Sequence, residues 1–311
     1  MNDIIRIQTQ VATGRLTLPV TIFVCLLLWF FTFNGWDKFA SMGIIALIGY
    51  VMIETNTAFN LIRTRTTLPV CIYGWIATSL FFLHPFNWEN LVPLTFVLSV
   101  YQLFHSYESP SPTNPIYHAF LFIGLGSLAL PQFMTFACLW WISMIPFRAI
   151  SIKSFLASLI GLITPYWFLF AYAFYFDEMN LFLTPLQKMI HFYPINYTLL
   201  STGEIISWTI ITLLLLISSI HYGHIAYKDK TRTRIYHSFL VYTGIWTTLL
   251  CVLQPEHLGV WMSIQLICMA FLSGHLFTLT RNRFSGILFI VTFVVFILLM
   301  SLNLWMQFFN S

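Results

Sequence analysis

The stretch MGIIALIGYVMIETNTAFNLIRTRTTLP, residues 42–69, decides the fold class of this protein. Residues 42–53 carry no charged side chain, and the segment after them holds Glu54 and then two cations, Arg63 and Arg65. An apolar run that ends at arginines is typical of a helix that crosses a membrane toward its cytoplasmic face. The stretch therefore predicts a membrane span, and it raises the question of why a carboxylate stands within it.

The composition of the whole chain points to a membrane protein. Of its 311 residues, 59% are hydrophobic and only 8% are charged, whereas a soluble domain carries about 25% charged residues. The chain contains no GxGxxG, GxxxxGK[ST], HExxH or CxxC motif, so the common signatures of soluble enzymes are absent. We expect the five cysteines, which are spread through apolar runs, to be core residues.

The apolar runs between charged or Pro/Asn-rich breaks predict the number of spans, since a membrane helix needs about 20 residues. Pro131 alone separates the fifth run from the sixth. We predict an all-α fold, a polytopic transmembrane helix bundle with about 11 spans (range 10–12) in a single domain, 1–311. The predicted spans are 16–33, 42–59, 68–83, 91–105, 115–130, 132–147, 154–176, 204–227, 235–253, 258–279 and 284–305.

The positions of the cations predict the orientation, because Lys and Arg accumulate in cytoplasmic loops. With the N-terminus inside and the C-terminus outside, only Lys38 and Lys188 of the 14 cations fall outside. Most acids are placed outside, while Glu108 and Asp229 count as inner-loop acids. This partition supports the predicted spans, because a missed helix would invert every later loop.

The outer loop 177–203 is the longest connection. Thr184 and Pro185 predict a helix start, after which Leu186, Met189, Ile190 and Tyr193 follow helical spacing on one side. We expect a short helix on the membrane surface, acting either as a tether or as a lid.

Glu54 is the first candidate for a buried functional group. A carboxylate at membrane depth costs several kcal/mol, so it should face the bundle interior. Asn56, Thr57 and Asn60 make this the most polar stretch in any predicted span. The alternative is that the span ends near Ile53 and that residues 54–60 form an interfacial segment.

Four cations form a second candidate set. Arg63, Arg65, Arg148 and Lys153 lie at predicted inner helix ends, where they either bind an anionic headgroup or a diphosphate or follow the positive-inside rule. In the seventh predicted span, Pro165 removes a backbone hydrogen bond and should kink or break the helix.

Histidines form a third set. His221 and His224 lie one turn apart, and His237 and His275 lie on neighbouring spans near the same depth. Such a group could ligate metal or haem, or relay protons. No carboxylate or thiolate flanks them in the sequence, which favours interfacial histidines, and we expect neither a metal nor a cofactor.

Asp37 is the external acid candidate. Membrane glycosyltransferases that use polyprenyl-linked sugars resemble this arrangement, with a catalytic acid in the first external loop of a multispan bundle. Here that loop is short, and the outer face has almost no Lys or Arg to hold a lipid phosphate. This departure weighs against that activity.

Three short motifs carry a second resemblance: RTRTTLP (63–69), WISMIPFR (141–148) and GLITPYW (161–167). Together they resemble a family of multipass inner-membrane proteins from Bacteroidota, a domain family of unknown function. The resemblance spans roughly residues 50–175. It implies a bacterial inner-membrane location and a many-span fold, and it implies no activity.

Three functions stay open at the level of the sequence. The first is a non-enzymatic component of the cell envelope, either transporter-like or assembling a complex. The second is an enzyme acting on a polyprenyl- or lipid-linked substrate, with Asp37 or Glu54 as its acid. The third is an ion- or proton-coupled transporter. The expected partners are the lipid bilayer and other membrane-complex subunits, and no nucleic acid.

Overall fold

Every regular element in the described part of the chain is helical. The computed structural model of the protein describes residues 2–31, 35, 37–190, 195–280 and 282–309. This agrees with the predicted all-α fold class, and each predicted span overlaps an α-helix. In chain order the α-helices are α1 (Asn2–Thr13), α2 (Thr17–Phe31), α3 (Asp37–Phe59), α4 (Leu68–Ser79), α5 (Val92–His105), α6 (Thr113–Ala129), α7 (Phe136–Ser143), α8 (Ile152–Tyr175), α9 (Met179–Ile190), α10 (Thr202–Ile225), α11 (Thr231–Leu253), α12 (Leu258–Leu279) and α13 (Arg283–Phe309).

Six of the described helices are long and apolar enough to cross a membrane: α3, α8, α10, α11, α12 and α13. A seventh span results if α1 and α2, which meet at 79°, form one bent span. The chain is therefore a multipass membrane protein. Helices α4, α5, α6 and α7 contain only 12, 14, 17 and 8 residues, so the count of about 11 spans stays a prediction.

The contacts divide the chain into two compact units. Unit 1 comprises Met1–Phe86 and Asn196–Ser311, and unit 2 comprises Asn87–Ile195. Unit 1 therefore contains α1–α4 and α10–α13, and unit 2 contains α5–α9. The prediction of a single domain over residues 1–311 is not tested by this division and stays a prediction.

Helix α12 forms the centre of unit 1. It is buried along almost its whole length and contacts α1, α4, α10 and α11. Helix α3 instead buries a single stripe at helical spacing, which is how a helix covers a core with one face. That stripe consists of Ser41, Ile44, Ile48, Met52, Thr55 and Phe59.

Polar contacts show which segments share one end of unit 1. Gln8 of α1 donates to the backbone carbonyl oxygen of Phe277 (2.7 Å) and to the Ser285 hydroxyl (3.0 Å). The Thr66 hydroxyl donates to the Ala12 carbonyl oxygen. The α3–α4 and α12–α13 connections thus meet beside α1, at what we call the basal end of unit 1. The α10–α11 connection joins them there, because its Asp229 lies 2.9 Å from Arg63. The sequence places all of these segments on the cation-rich side.

Helices α6 and α8 pack closely in unit 2. A Cβ atom on Gly161 would lie 2.5 Å from the Tyr117 carbonyl oxygen, and one on Gly124 would lie 3.1 Å from the Pro165 ring. Small residues allow membrane helices to approach in this way. Pro165 does not break α8, which continues from Ile152 to Tyr175. Its ring is buried in this contact. The helix is therefore not broken at Pro165, and the predicted kink there stays a prediction.

The predicted short helix in the 177–203 loop is present as α9, but it begins earlier than predicted. It runs over Met179–Ile190, so Thr184 and Pro185 lie inside it. The Thr184 hydroxyl donates to the Asn180 carbonyl oxygen at 2.6 Å and therefore does not cap the helix. The side chain of Ile190 and residue Tyr193 lie outside the described residues, and the position of α9 at a membrane surface stays a prediction.

Candidate functional site

A buried polar cluster lies at the basal end of unit 1. Its four central members are Arg63, in the α3–α4 connection, Asp229, in the α10–α11 connection, His237 on α11 and His275 on α12. The Asp229 and His275 side chains are each only 1% exposed, and His237 is fully buried. We call these four residues the basal cluster. Four separate segments thus supply one charged site, in which the Arg63 side chain is half exposed and the other three are buried.

Asp229 is the central acceptor of the basal cluster. One carboxylate oxygen, Oδ2, lies 2.9 Å from His275 Nε2. The other, Oδ1, lies 2.9 Å from Arg63 Nη2, a contact at ion-pair distance that lacks the geometry of a directed hydrogen bond. A charged group this deeply buried needs partners of this kind, because removing it from water is otherwise costly.

The partners of Asp229 hold it in the ionised form. Burial raises the pKa of the carboxyl, but its interactions with His275 and Arg63 lower it by more. The pKa of Asp229 therefore lies below its usual value. An ionised carboxylate can only accept hydrogen bonds. His275 Nε2 therefore carries a hydrogen atom and donates a hydrogen bond to Asp229 Oδ2.

His237 is oriented by its own helix. Its Nδ1 lies 3.1 Å from the Thr233 carbonyl oxygen. Because a carbonyl only accepts, Nδ1 carries the proton, and Nε2 is left with a lone pair. No described residue makes a hydrogen bond to His237 Nε2 or to His275 Nδ1, although both nitrogens are buried. The two rings lie 4.8 Å apart between centroids.

Tyr222 of α10 completes the aromatic surroundings of the two histidines. Its ring stacks on His237 at 4.9 Å and meets His275 edge-on at 5.1 Å. Within the described residues its hydroxyl has no hydrogen-bond partner. His221, one residue earlier, lies 3.3 Å from the Thr280 hydroxyl through Nε2. The cluster is thus enclosed by α10, α11 and α12.

This arrangement offers two imidazole nitrogens as proton acceptors, His237 Nε2 and His275 Nδ1. Two buried imidazole nitrogens without a described partner lie beside a carboxylate that would stabilise an imidazolium. Buried polar atoms of this kind call for an explanation, because most buried polar groups in proteins are hydrogen-bonded. In the described ranges, no three His, Cys, Asp or Glu side chains have the geometry of a metal site.

The structure corrects one step in the prediction for the histidines. Asp229 follows His224 by five residues, but it was counted only as an inner-loop acid, which favoured interfacial histidines. In the structure it accepts from His275, 46 residues later, because the connection that follows α10 folds back under α12. His221, His237 and His275 come together, whereas His224 is exposed.

The polar stretch after Ile53 is helical but faces mostly outward. Helix α3 continues to Phe59, and the alternative that the membrane span ends near Ile53 stays a prediction. Burial was predicted incorrectly for three of the four candidates: Glu54, Thr57 and Asn60 are exposed. Asn56 is half-buried and donates to the Thr66 carbonyl oxygen at 3.1 Å. A function for these residues stays a prediction.

The four candidate cations do not form one described site. Arg63 belongs to the basal cluster, and Arg65 is exposed. In unit 2, Lys153 is exposed and Arg148 pairs with Glu108 at 2.8 Å. Glu108 had no cation in its own predicted loop, and the partner comes from the α7–α8 connection. A headgroup role for these cations stays a prediction.

Asp37 is the first residue of α3, and its side chain lies outside the described part of the structure.

Asp229 is the functional candidate that sequence reasoning missed, since it was counted only as an inner-loop acid. In the sequence, Asp229 lies between Lys228 and Lys230. An acid within a basic loop is a weak indication that it has a structural partner.

Comparisons with known proteins identify no relative of the chain. No family model, no curated protein and no solved structure matches it. The family resemblance described above therefore stays a prediction, and the basal cluster has to be interpreted from its own chemistry.

Proposed function

We propose that the protein is a non-enzymatic, proton-coupled membrane transporter whose proton site is the basal cluster. The single observation that carries this proposal is the pair of buried imidazole nitrogens, on His237 and His275, beside the ionised Asp229. Ionisable groups inside a membrane bundle are costly, and they commonly mark proton relays or transport pathways.

A second polar level supports a pathway along α12. Farther from the basal end, Gln265 of α12 donates to the Thr212 hydroxyl of α10 (3.0 Å) and to the Thr248 hydroxyl of α11 (2.8 Å). Between this level and the basal cluster, Leu215 packs against Gly244, where an added Cβ would lie 2.9 Å from Leu215 Cδ1. Two polar levels separated by an apolar contact suit a carrier that opens them in turn.

The proposed orientation follows from the charges. With the N-terminus in the cytoplasm, the C-terminus outside and about 11 spans, the basal cluster lies near the cytoplasmic face. The proposed location is a bacterial inner membrane, in line with the family resemblance. The two alternatives, complex assembly and catalysis on a lipid-linked substrate, make no use of a buried proton site.

A current measurement tests the proton site without a known substrate. Proteoliposomes adsorbed on a sensor receive a pH jump within the range of about pH 5 to 8, in which histidines change charge. The wild-type protein should give a transient current from charge moving into the site. Asp229→Asn and His275→Gln should abolish it, whereas Glu108→Gln, which alters the exposed ion pair, should leave it unchanged.

Two results would end the proposal. One is a wild-type signal no larger than that of protein-free liposomes. The other is a full current from Asp229→Asn protein that is reconstituted at the wild-type amount. Circular dichroism and size-exclusion chromatography on each variant establish that a lost current does not come from lost folding.

A further inference from the structure

A large apolar cavity opens in unit 1, and none of the residues that line it belongs to the basal cluster. Its volume is about 500 Å³, which falls within the range of small-molecule sites in proteins. Its walls come from the α1–α2 corner, α2, α4, α13 and Phe277 of α12. Nearly all of its lining is hydrocarbon or aromatic, so it is built for an apolar occupant.

The polar residues of the cavity stand mainly at one end. Gln10, Arg15 and Thr17 surround the corner where α1 and α2 meet at 79°. Arg15 is exposed, and among the described residues no carboxylate lies within ion-pair distance of it. Within the described residues, the corner thus holds a positive charge without an acidic partner, beside the mouth of an apolar cavity.

The cavity runs along the helices from this corner. On α4 its lining extends from Leu68 to Trp75, and on α13 it extends from Phe289 to Phe296. Each stretch covers seven helical steps, or about 10 Å. This length fits within one half of a hydrocarbon core that is roughly 30 Å thick. The shape suits a single chain that enters from one leaflet.

We propose that this cavity binds one hydrocarbon chain of an anionic amphiphile, with the phosphate head at Arg15. The charge of Arg15 selects the anionic head, and the aromatic and aliphatic walls take the chain. A phospholipid and a polyprenyl phosphate share this chemistry. The site shares no residue with the basal cluster, so it stands or falls independently of the proposed transport.

Photolabelling tests the site directly. The purified protein is incubated in micelles with phosphatidylglycerol or phosphatidylcholine that carries a photoreactive group in one acyl chain, and labelled peptides are mapped by mass spectrometry. We expect phosphatidylglycerol to label residues on α2, α4 and α13 that line the cavity, and phosphatidylcholine to label them more weakly. An excess of unlabelled polyprenyl phosphate or phosphatidylglycerol then shows which source competes better.

Two pairs of variants separate the head from the chain. Arg15→Gln should lower phosphatidylglycerol labelling about fivefold, the effect expected of one cation at a membrane surface, while Arg65→Gln, at another exposed arginine, should not. Thr292→Trp places a ring in the cavity and should abolish labelling by both lipids. Thr209→Trp, on an exposed face of α10, should leave it intact.

The proposal has clear points of failure. Equal labelling by the two phospholipids, or unchanged labelling of Arg15→Gln, would overturn the anionic head. Labels spread evenly over all exposed apolar helices, or retained in a folded Thr292→Trp protein, would overturn the cavity as a binding site.

Discussion

Two ion pairs of nearly equal length show how differently the two units use charge. In unit 1, Arg63 lies 2.9 Å from Asp229, and in unit 2, Arg148 lies 2.8 Å from Glu108. Each pair joins two connections between helices. The Asp229 side chain is 1% exposed, however, whereas that of Glu108 is 47% exposed. Distance alone therefore does not distinguish a site from a surface contact.

The difference lies in what else surrounds each acid. Glu108 is open to solvent, and exposed pairs of this kind contribute about 0–1 kcal/mol. Asp229 has a second partner, His275, and lies in an interior where polar groups without partners are costly. The comparison predicts that matched changes in the two units will have unequal effects on stability.

The largest effect should come from removing the buried acid. Asp229→Ala leaves the His275 Nε2–H without an acceptor and Arg63 without its counter-charge, and it should lower the free energy of unfolding by about 3 kcal/mol. Glu108→Ala should cost less than about 1 kcal/mol. Denaturant titration in detergent micelles, followed by tryptophan fluorescence, measures both. Equal losses would contradict the comparison.

A second buried ionisable group of unit 1, His84, extends the comparison from stability to its dependence on pH. His84 of unit 1 is buried, stacks on Trp29 at 3.8 Å, and lies 3.2 Å from the Thr78 carbonyl oxygen through Nε2. Burial lowers the pKa of His84 from 6.5 to about 4. The unfolded chain therefore binds more protons between these values, and stability falls as the pH drops from 6.5 toward 4.

At about pH 5 this effect should remove about 2 kcal/mol of stability relative to pH 8. Between pH 8 and pH 5, the free energy of unfolding of His84→Gln should fall by about 2 kcal/mol less than that of the wild type. At neutral pH the variant should nevertheless be less stable than the wild type. His224→Gln, at an exposed histidine, should behave like wild type. The measurement is the unfolding free energy as a function of pH, and identical pH profiles for wild type and His84→Gln would contradict the assignment.

A smaller difference is expected between the two arginines. Arg63 is half exposed, so water stabilises it when its partner is removed, yet it also helps to compensate the buried carboxylate. Arg63→Gln should cost about 1 kcal/mol and Arg148→Gln less than about 0.5 kcal/mol. Raising the salt concentration should weaken the Arg148 contribution more, because exposed pairs are screened more strongly. The same unfolding assay at low and high salt tests this.

The smallest effect should come from Glu54. Its side chain is exposed on α3, so Glu54→Gln should change the unfolding free energy by no more than about 0.5 kcal/mol. It should also leave the pH-jump current unchanged. A loss of current in a folded Glu54→Gln protein would indicate that the proton site lies on α3 and not at the basal cluster.

The sequence predicts where most helices lie but not which face of a helix is inside. On α3, hydropathy predicts where the helix lies along the chain. It does not predict that Thr55 is buried while the adjacent Glu54 is exposed. One residue turns a side chain by about 100° around a helix, so the direction depends on which neighbours pack against it. The start of α9 was misplaced for a related reason, because the Thr184 hydroxyl bonds back within the helix.

The residues of the basal cluster show the same difference between what the sequence predicts and what packing decides. The histidines of α10, α11 and α12 were recognised as a group of similar depth, since depth follows from counting residues along each span. Asp229 was not recognised as their acidic partner, because it contacts His275 only through the packing of the α10–α11 connection beneath α12. Contacts between residues so distant in the sequence leave no local pattern.

Composition and hydropathy alone determine that this is an all-helical membrane protein, because a chain with so few charges satisfies its backbone in a bilayer through helices. The clustering of the cations predicts an orientation for the same local reason. Only the tertiary structure decides that Arg63, Asp229, His237 and His275 meet, and that Glu54 stays outside. Burial is a property of packed neighbours, and those neighbours are chosen by the fold as a whole.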